Sequence, residues 1–550
     1  MRRLAFIGLL IAITFTTFAQ HPKKAVKAYE AAEEAFLERD YQKAHQKALK
    51  AIVEDPNYAE AWLLEGEIGM ETQDYDLAIL GYEKALASDS MAFPPAAITL
   101  ARLYDKQGAY KRETTLLRWY LSKGFSHEAN NTTAAELLAK AAFRDEALSH
   151  PVDFHPENIG NAVNTRDDEY INALTFDGNQ LLFTRKMNRG NGFFEEQIFV
   201  SSWEENHWAE PQPLSFTSFP DDIDPGAAFL SADGSKLYLT GCGWGRESGC
   251  DLYVSSLDQG QWSMPRRIEG NINTGSWESQ PCVSADGKEL YFVSRRNGNA
   301  DLYCSRRNAD HSWGEPQNLG APINTKGNEM APFLHPDGRT LYFSSDEHVG
   351  MGGYDLFISR RGEDGKWQEP VNLGFPINTQ SDEINFFVAA DGRTAFISSQ
   401  REGGYGGYDI YTFELPEEIR PDSANYFSGV DVTELTPGDV LVLQNIQFEF
   451  NSSALTEDSQ SGIQMLADFL GRNPELSVEL AGHTDDVGNA AYNQKLSSER
   501  AEVVREALVA KGIDPNRLTA KGYGSSKPIY PNDNDEHRAI NRRTEMIIIN

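Results

Sequence analysis

Apolar and polar positions follow three different periods along this chain, one after another. From Ala25 to about Phe125 the spacing is helical, and it repeats about every 34 residues. Asp40 and Tyr41 recur as Asp74 and Tyr75 and, one residue late, as Ala109 and Tyr110. Ala44 matches Ala78, Ala48 matches Tyr82, and Ala51 matches Ala85. Trp62 and Gly66 open the second unit, and Asp55 and Pro56 end the first. Small residues where helices cross, with aromatics wedged between them, let helix pairs stack as an α-solenoid. About three repeats are expected over 20–149, with a capping helix over 133–148.

The period then drops to two. Asp-Gly turns at Asp177, Asp233, Asp286, Asp337 and Asp391 are each followed by an alternating strand, such as Leu237, Tyr238 and Leu239. A second strand begins at Asp251, Asp301, Asp355 and Asp409, and a third at the Trp-x-x-Pro runs of Trp208, Trp262, Trp313 and Trp367. Four short strands per unit, repeated radially, describe an all-β propeller over 150–416. Val152 to Pro156 precedes Asn158 as Trp367 to Pro370 precedes Asn372, so the first strand is expected to complete the last blade. That gives five blades, with six as the alternative. A polar linker with Pro421 covers 417–436, with one short strand over 426–432. The last stretch, 437–550, alternates as an α/β domain. Strands are expected over 440–450, 478–480, 518–523 and 544–549, with helices over 460–472 and from Tyr492 to a left-handed stop at Gly512.

A chain of 550 residues is too long for one core, in keeping with this three-part multidomain plan. Its net charge of −32 argues against nucleic acid as a partner. Arg2 and Arg3 precede an apolar run from Leu4 to Phe18, and Thr17 to Ala19 supplies small residues for cleavage, so 1–19 reads as a signal peptide. No Cys follows that point to carry a lipid, and no later run reaches the ~18 apolar residues of a membrane span. In an oxidising compartment Cys242 and Cys250 are expected to form a disulfide across a Gly-rich hairpin. Cys282 and Cys304 are open: small buried hydrophobes or a second pair. No zinc spacing, nucleophile elbow, His-Glu-x-x-His or phosphate loop occurs, so neither a catalytic residue nor a metal or cofactor is expected.

Candidate chemistry sits near the C-terminus. Thr484 and Asp485 fall in a strand-to-helix loop, while Asn493, Ser497, Arg500 and Val504 form one helical stripe. A carboxylate and a guanidinium facing one cleft suit a zwitterion, the Asp taking an ammonium and the Arg a carboxylate. From spacing alone, a surface Asp485–Arg500 ion pair that steadies the loop is the simpler account.

Resemblance reverses that preference. Gly482, His483, Thr484, Asp485 and Gly488, then Asn493, Leu496, Ser497, Arg500 and Ala501, resemble the signature of the OmpA C-terminal family of peptidoglycan-binding domains. Asn445 to Asn451 upstream and Asn541 to Arg543 downstream match as well. The resemblance implies that Asp485 and Arg500 grip the diaminopimelate of the wall stem peptide. It places Phe450, Asn451, Thr484, Asn493 and Arg543 in support, with Asn451 standing where relatives often carry Asp. The helical units resemble tetratricopeptide (TPR) repeats, and the β units resemble the PD40, TolB-like (WD40-like) repeats. Together they imply an exported, non-enzymatic adaptor in the periplasm, at the peptidoglycan and outer membrane, binding envelope proteins through its repeats and propeller. The domain order is similar to Bacteroidetes envelope proteins, including the PorE-type component of type IX secretion. The alternatives are a wall-targeted enzyme such as a hydrolase, and a scaffold that does not bind the wall.

Overall fold

The structure is a computed structural model. It describes residues 21–89, 93–175, 178–190, 192–204, 206–217, 224–232, 234–243, 249–258, 260–401, 403–421, 432, 435–443, 446–448, 452–456, 459–533 and 535–550. The expected signal peptide, Asp177, Asp233, and the strand over 426–432 apart from Val432 lie outside the described residues. The chain divides into two compact units, Met1–His150 and Pro151–Asn550.

The first unit contains helices α1 (Lys23–Leu37), α2 (Tyr41–Glu54), α3 (Ala59–Thr72), α4 (Tyr75–Ser88), α5 (Pro95–Lys106), α6 (Tyr110–Ser122) and α7 (Glu128–Ser149). The repeated Asp-Tyr pair has a local cause. Asp40 and Asp74 are the N-caps of α2 and α4, accepting the backbone N–H of Lys43 and Leu77 at 3.1 Å each. Ala109, which replaces them in the third repeat, supplies no side-chain cap. Ala44, Ala48, Ala51 and Ala78 are fully buried where helices cross. Helix α7 starts five residues before the expected Thr133, because the His127 side chain accepts the Asn130 N–H and caps it at Glu128.

The second unit holds five consecutive antiparallel sheets. Their inner strands are Asp168–Leu174, Asp224–Leu230, Glu278–Val283, Glu329–Leu334 and Asn385–Val388. Each inner strand touches the next, and the fifth touches the first. Glu157–Asn158 pairs with the third strand of the fifth sheet, Glu157 opposite Thr412 and Asn158 opposite Tyr411. At the described Asp-Gly turns, Asp286, Asp337 and Asp391 each accept the N–H two residues on, at 2.8–3.0 Å. The Trp-x-x-Pro runs do not form a continuous strand. Trp208 and Trp262 sit in two-residue strands and Trp313 and Trp367 in single bridges, followed by a separate edge pairing such as Gln317–Asn318. The proline between the two pairings has no N–H to donate and divides the edge. A feature unread in the sequence repeats in four sheets: Glu169, Glu278, Glu329 and Glu383 are buried and accept the N–H and hydroxyl of Thr165, Thr274, Thr325 and Thr379. Cys242 and Cys250 are joined by a disulfide, while Cys282 and Cys304 are free thiols.

The C-terminal part of this unit is a four-stranded sheet in the order Val440–Val442, Thr544–Ile548, Val478–Gly482, Leu518–Gly522. The last two strands are parallel, with Gly482 opposite Gly522. Helices α8 (Ser459–Arg472) and α9 (Ala490–Ala510) bury Ile463, Leu466, Leu470, Val504 and Leu508 with Leu480 and Met546 of the sheet. The strand expected over 440–450 stops at Val442. Around Gln447 the Ser459 hydroxyl bonds both the N–H and the C=O, Gln447 O also accepts the Thr456 N–H at 3.1 Å, and Phe448 bridges Leu455, so this backbone pairs locally with 455–456 in place of the sheet. Helix α9 opens at Ala490 under an Asn489 cap and stops before Gly512, at φ +94°. A further helix, α10 (Asp535–Asn541), was not expected. Among the described residues no helix is long and apolar enough to cross a membrane.

Candidate functional site

The candidate cleft forms where the two parallel strands end and α9 crosses them. The helix lies so close that a Cβ on Gly482 would meet the Ser497 carbonyl oxygen at 2.2 Å. A Cβ on Gly522 would meet the Ser498 nitrogen at 2.3 Å. This approach brings the stripe of Asn493, Ser497, Arg500 and Val504 against the sheet, all four buried.

Thr484 and Asp485 follow the strand end directly. The Thr484 N–H donates to Gly524 O at 3.0 Å, and its hydroxyl donates to Asp485 O at 3.0 Å. Asn493 Nδ2 donates to the carbonyls of Asp485 (3.0 Å) and Val487 (3.1 Å), tying the loop to the helix. The Asp485 carboxylate accepts the Val487 N–H at 3.0 Å through Oδ1 and Arg542 Nη1 at 2.6 Å through Oδ2. Arg500 donates its Nε to Ser452 O at 2.9 Å, with the guanidinium 4.9 Å from the centre of the Phe448 ring. Burial, then the positive charge of Arg542, pushes the Arg500 pKa below its ordinary value, with Asp485 opposing. Among the described residues no carboxylate lies within the 4.0 Å ion-pair distance of Arg500.

The structure therefore brings Thr484, Asp485, Asn493 and Arg500 together, without the ion pair that spacing alone suggested. Asp485 does not pair with Arg500; its partner is Arg542, which the sequence reading passed over. Arg543, expected in support, turns away. Its Nε and Nη2 reach Glu545, Nε at 2.7 Å, and Nη2 donates to Lys527 O. Glu545 also accepts His483 Nε2 at 3.1 Å. Burial raises the Glu545 carboxyl, but the His483 hydrogen bond and the Arg543 charge outweigh it and hold the pKa below the ordinary value. The cause is the alternation of a chain entering a strand: neighbours on either side of a peptide face opposite ways. That rule was the one signal in the Arg542–Arg543 pair. Phe450 and Asn451 lie outside the described residues, although Phe448 and Ser452 on either side border Arg500. Among the described residues no group of three or more His, Cys, Asp or Glu side chains is arranged to hold a metal ion.

The model of the OmpA family matches residues 447–542, the segment that contains this cleft. The chain is 45% identical over 109 residues to outer membrane porin F of Pseudomonas fluorescens, covering 20% of this chain and 33% of that protein. It is 47% identical over 195 residues to outer membrane porin F of Pseudomonas aeruginosa, covering 35% of this chain and 53% of that protein. The peptidoglycan-associated lipoprotein of Brucella melitensis is 31% identical over 125 residues, covering 22% of this chain and 74% of that protein. The chain belongs to the OmpA family. Its OmpA-family domain carries the whole cleft, from Phe448 beneath Arg500 to Arg542 on Asp485. These relatives are by name porins and a lipoprotein of the envelope. The chain spans only a third to about half the length of the porins it matches.

Proposed function

We propose that this protein is a non-enzymatic adaptor that holds peptidoglycan without covalent bonds through its OmpA-family domain. In this reading the free carboxylate of a diaminopimelate stem peptide takes Arg500 by a two-pronged hydrogen bond. Its ammonium takes Asp485, displacing or sharing the half-exposed Arg542. One observation carries the assignment: Arg500 is buried yet has no carboxylate partner among the described residues, while a carboxylate that is held by other groups stands in the same cleft. A guanidinium in that state binds an incoming anion without first breaking an ion pair. Thr484 and Asn493 hold the loop. The likeness to the peptidoglycan-associated lipoprotein of Brucella melitensis supports the same reading.

The rest of the proposal concerns partners. The helical pairs of Met1–His150 support TPR-type repeats. The closed cycle of five sheets, completed by Glu157–Asn158, supports a five-bladed PD40-type propeller over 150–416. Such surfaces suit envelope protein partners at the periplasmic face of the outer membrane, with type IX secretion as the setting that the domain order suggests.

Co-sedimentation of the full protein with purified diaminopimelate-type peptidoglycan tests the wall assignment. Asp485→Ala and Arg500→Ala each lose a charge-assisted contact of about 1.5–3 kcal/mol, a tenfold or greater drop in retention. If both variants fold and pellet like the parent, the cleft is not a wall site. Release of soluble muropeptides by the parent protein would overturn the non-enzymatic part.

A further inference from the structure

The helical unit contains an apolar cleft whose rim carries unpaired negative charge. It lies between α3, α4 and α5 and is lined by Ala59, Leu63, Ala85, Leu86, Phe93 and Ala96, with Glu60 at its edge. Helix α3 carries four glutamates, Glu60, Glu65, Glu67 and Glu71, and no Lys or Arg. Glu60 is not isolated. With Glu30 and Glu33 of α1 it acts on the packed rings of Tyr29 and Tyr58, whose centroids are 5.1 Å apart. Burial first, and then Glu60, Glu30 and Glu33, push the Tyr58 hydroxyl up to about 12. Burial, and then Glu30, hold the Glu33 carboxyl above its ordinary value.

Among the described residues Glu30, Glu33 and Glu60 have neither an ion pair nor a hydrogen bond, with the lysines at the start of α1 included. Three like charges gathered beside these rings, of which Tyr58 is buried under the stacked His21, disfavour the free protein. A cation laid over the carboxylates removes that repulsion. The adjoining apolar lining calls for a non-polar side chain from the same ligand. Charge complementarity therefore selects the occupant.

We propose that this cleft docks a lysine- or arginine-bearing peptide segment of a partner protein. One apolar side chain sits between α3 and α5, and the basic side chains lie over Glu30, Glu33 and Glu60. The proposal rests on the partner-binding reading of the helical repeats and adds the chemistry of the partner.

The test is fluorescence anisotropy of the full protein with three labelled twelve-residue probes: one of lysine and leucine, one of glutamate and leucine, and one of lysine and serine. The lysine–leucine probe is expected to bind best and to weaken with salt. Glu30→Gln/Glu33→Gln/Glu60→Gln should reduce that binding at least tenfold, and Leu63→Ala several-fold. Glu363→Gln/Glu417→Gln/Glu418→Gln, which removes three exposed charges from the five-sheet part, should leave it within twofold. Equal losses in the two triple variants mean attraction to the net charge of the whole chain and overturn the proposal. Preference for the glutamate–leucine probe, lost on Leu63→Ala, overturns the cationic chemistry and leaves the partner-binding reading standing. Binding of no probe sinks both, while peptidoglycan retention is measured separately and is unaffected by any of these outcomes.

Discussion

A single added methyl tests whether the cleft depends on how closely α9 lies on the sheet. In Gly482→Ala the new carbon would stand 2.2 Å from the Ser497 carbonyl oxygen, and in Gly522→Ala 2.3 Å from the Ser498 nitrogen. Ordinary contact begins at 3.4 Å, and both neighbours are backbone, so no rotamer change relieves the overlap. The helix must draw back by about 1 Å, at a cost of about 1–3 kcal/mol. Asn493 and Arg500 travel with it while Asp485 stays on the strand end. A two-point site held to about 0.5 Å does not survive that displacement, so peptidoglycan retention falls at least tenfold. Hydrogen exchange of peptides covering 478–482 and 518–522 reads the stability loss as roughly 5- to 150-fold faster exchange. The control is Gly471→Ala in α8, where a Cβ meets open space. There the change should stabilise by up to about 1 kcal/mol and leave retention untouched. If Gly482→Ala exchanges within twofold of the parent and pellets equally well, the helix position is not what holds the site, and the reasoning fails.

Three further outcomes are expected. Burial, with Asp105 adding to it and Arg144 opposing, pushes the Glu113 carboxyl from 4.5 up to about 8. The unfolded chain releases this proton first, so the group's contribution falls as pH rises from 4.5 towards about 8, by up to about 1.4 kcal/mol per pH unit. Glu113→Gln should flatten that slope in thermal melts of the helical unit, and an unchanged slope refutes the assignment. Arg543→Ala leaves Glu545 buried beside His483 and should cost about 3–5 kcal/mol, seen as faster exchange over 544–548. Arg542→Ala removes a half-exposed guanidinium from a carboxylate that keeps the Val487 N–H, and should cost less than Arg543→Ala; the reverse order would restore Arg543 to the cleft. Burial pushes the Cys282 and Cys304 thiols up to about 12 each, so iodoacetamide at pH 8 should label neither until the protein unfolds.

Features with a local cause were legible in the sequence. Asp40 and Asp74 announce helices because the capping bond spans three residues, and Asp286, Asp337 and Asp391 announce turns because their bonds span two. The pairing of Glu157–Asn158 with the last sheet was readable from the phase of the repeat, although the partners are more than 250 residues apart. Tertiary causes hid the rest. The buried Thr165–Glu169 pair and its three counterparts have the spacing of solvated polar residues, and only packing between sheets encloses them. The alternation over 440–450 imitates one continuous strand, but sheet pairing ends at Val442 and Gln447 is bonded by the Ser459 hydroxyl and the Thr456 N–H. Helix α10 has seven mostly polar residues and no apolar period to detect. Within the cleft, the motif marked Asp485 and Arg500 as candidates, but which of two adjacent arginines faces Asp485 was decided by the side from which the strand Thr544–Ile548 is entered.

Both halves of the cleft are fixed before any ligand arrives, and this makes Asn493 a sharper probe than its distance from solvent suggests. Its amide is the only side chain among the described residues that holds the carbonyls of both Asp485 and Val487, and Val487 in turn donates to the Asp485 carboxylate. Asn493→Ala removes no group assigned to the ligand. It leaves two loop carbonyls without their donor, a loss of about 1–3 kcal/mol if they stay dry, and releases Asp485 to sample other rotamers. Binding must then order that side chain again, at about 0.5–1.5 kcal/mol, so retention on peptidoglycan should fall about three- to tenfold. Lys495→Ala, on the exposed face of the same helix, should leave retention unchanged. The signature that separates loop ordering from ligand contact is rate: Asn493→Gln, which keeps a donor at altered reach, should recover part of the loss through slower release. If Asn493→Ala retains full binding while exchange over 484–488 speeds up, loop order does not matter to the site, and Arg500 alone carries the affinity.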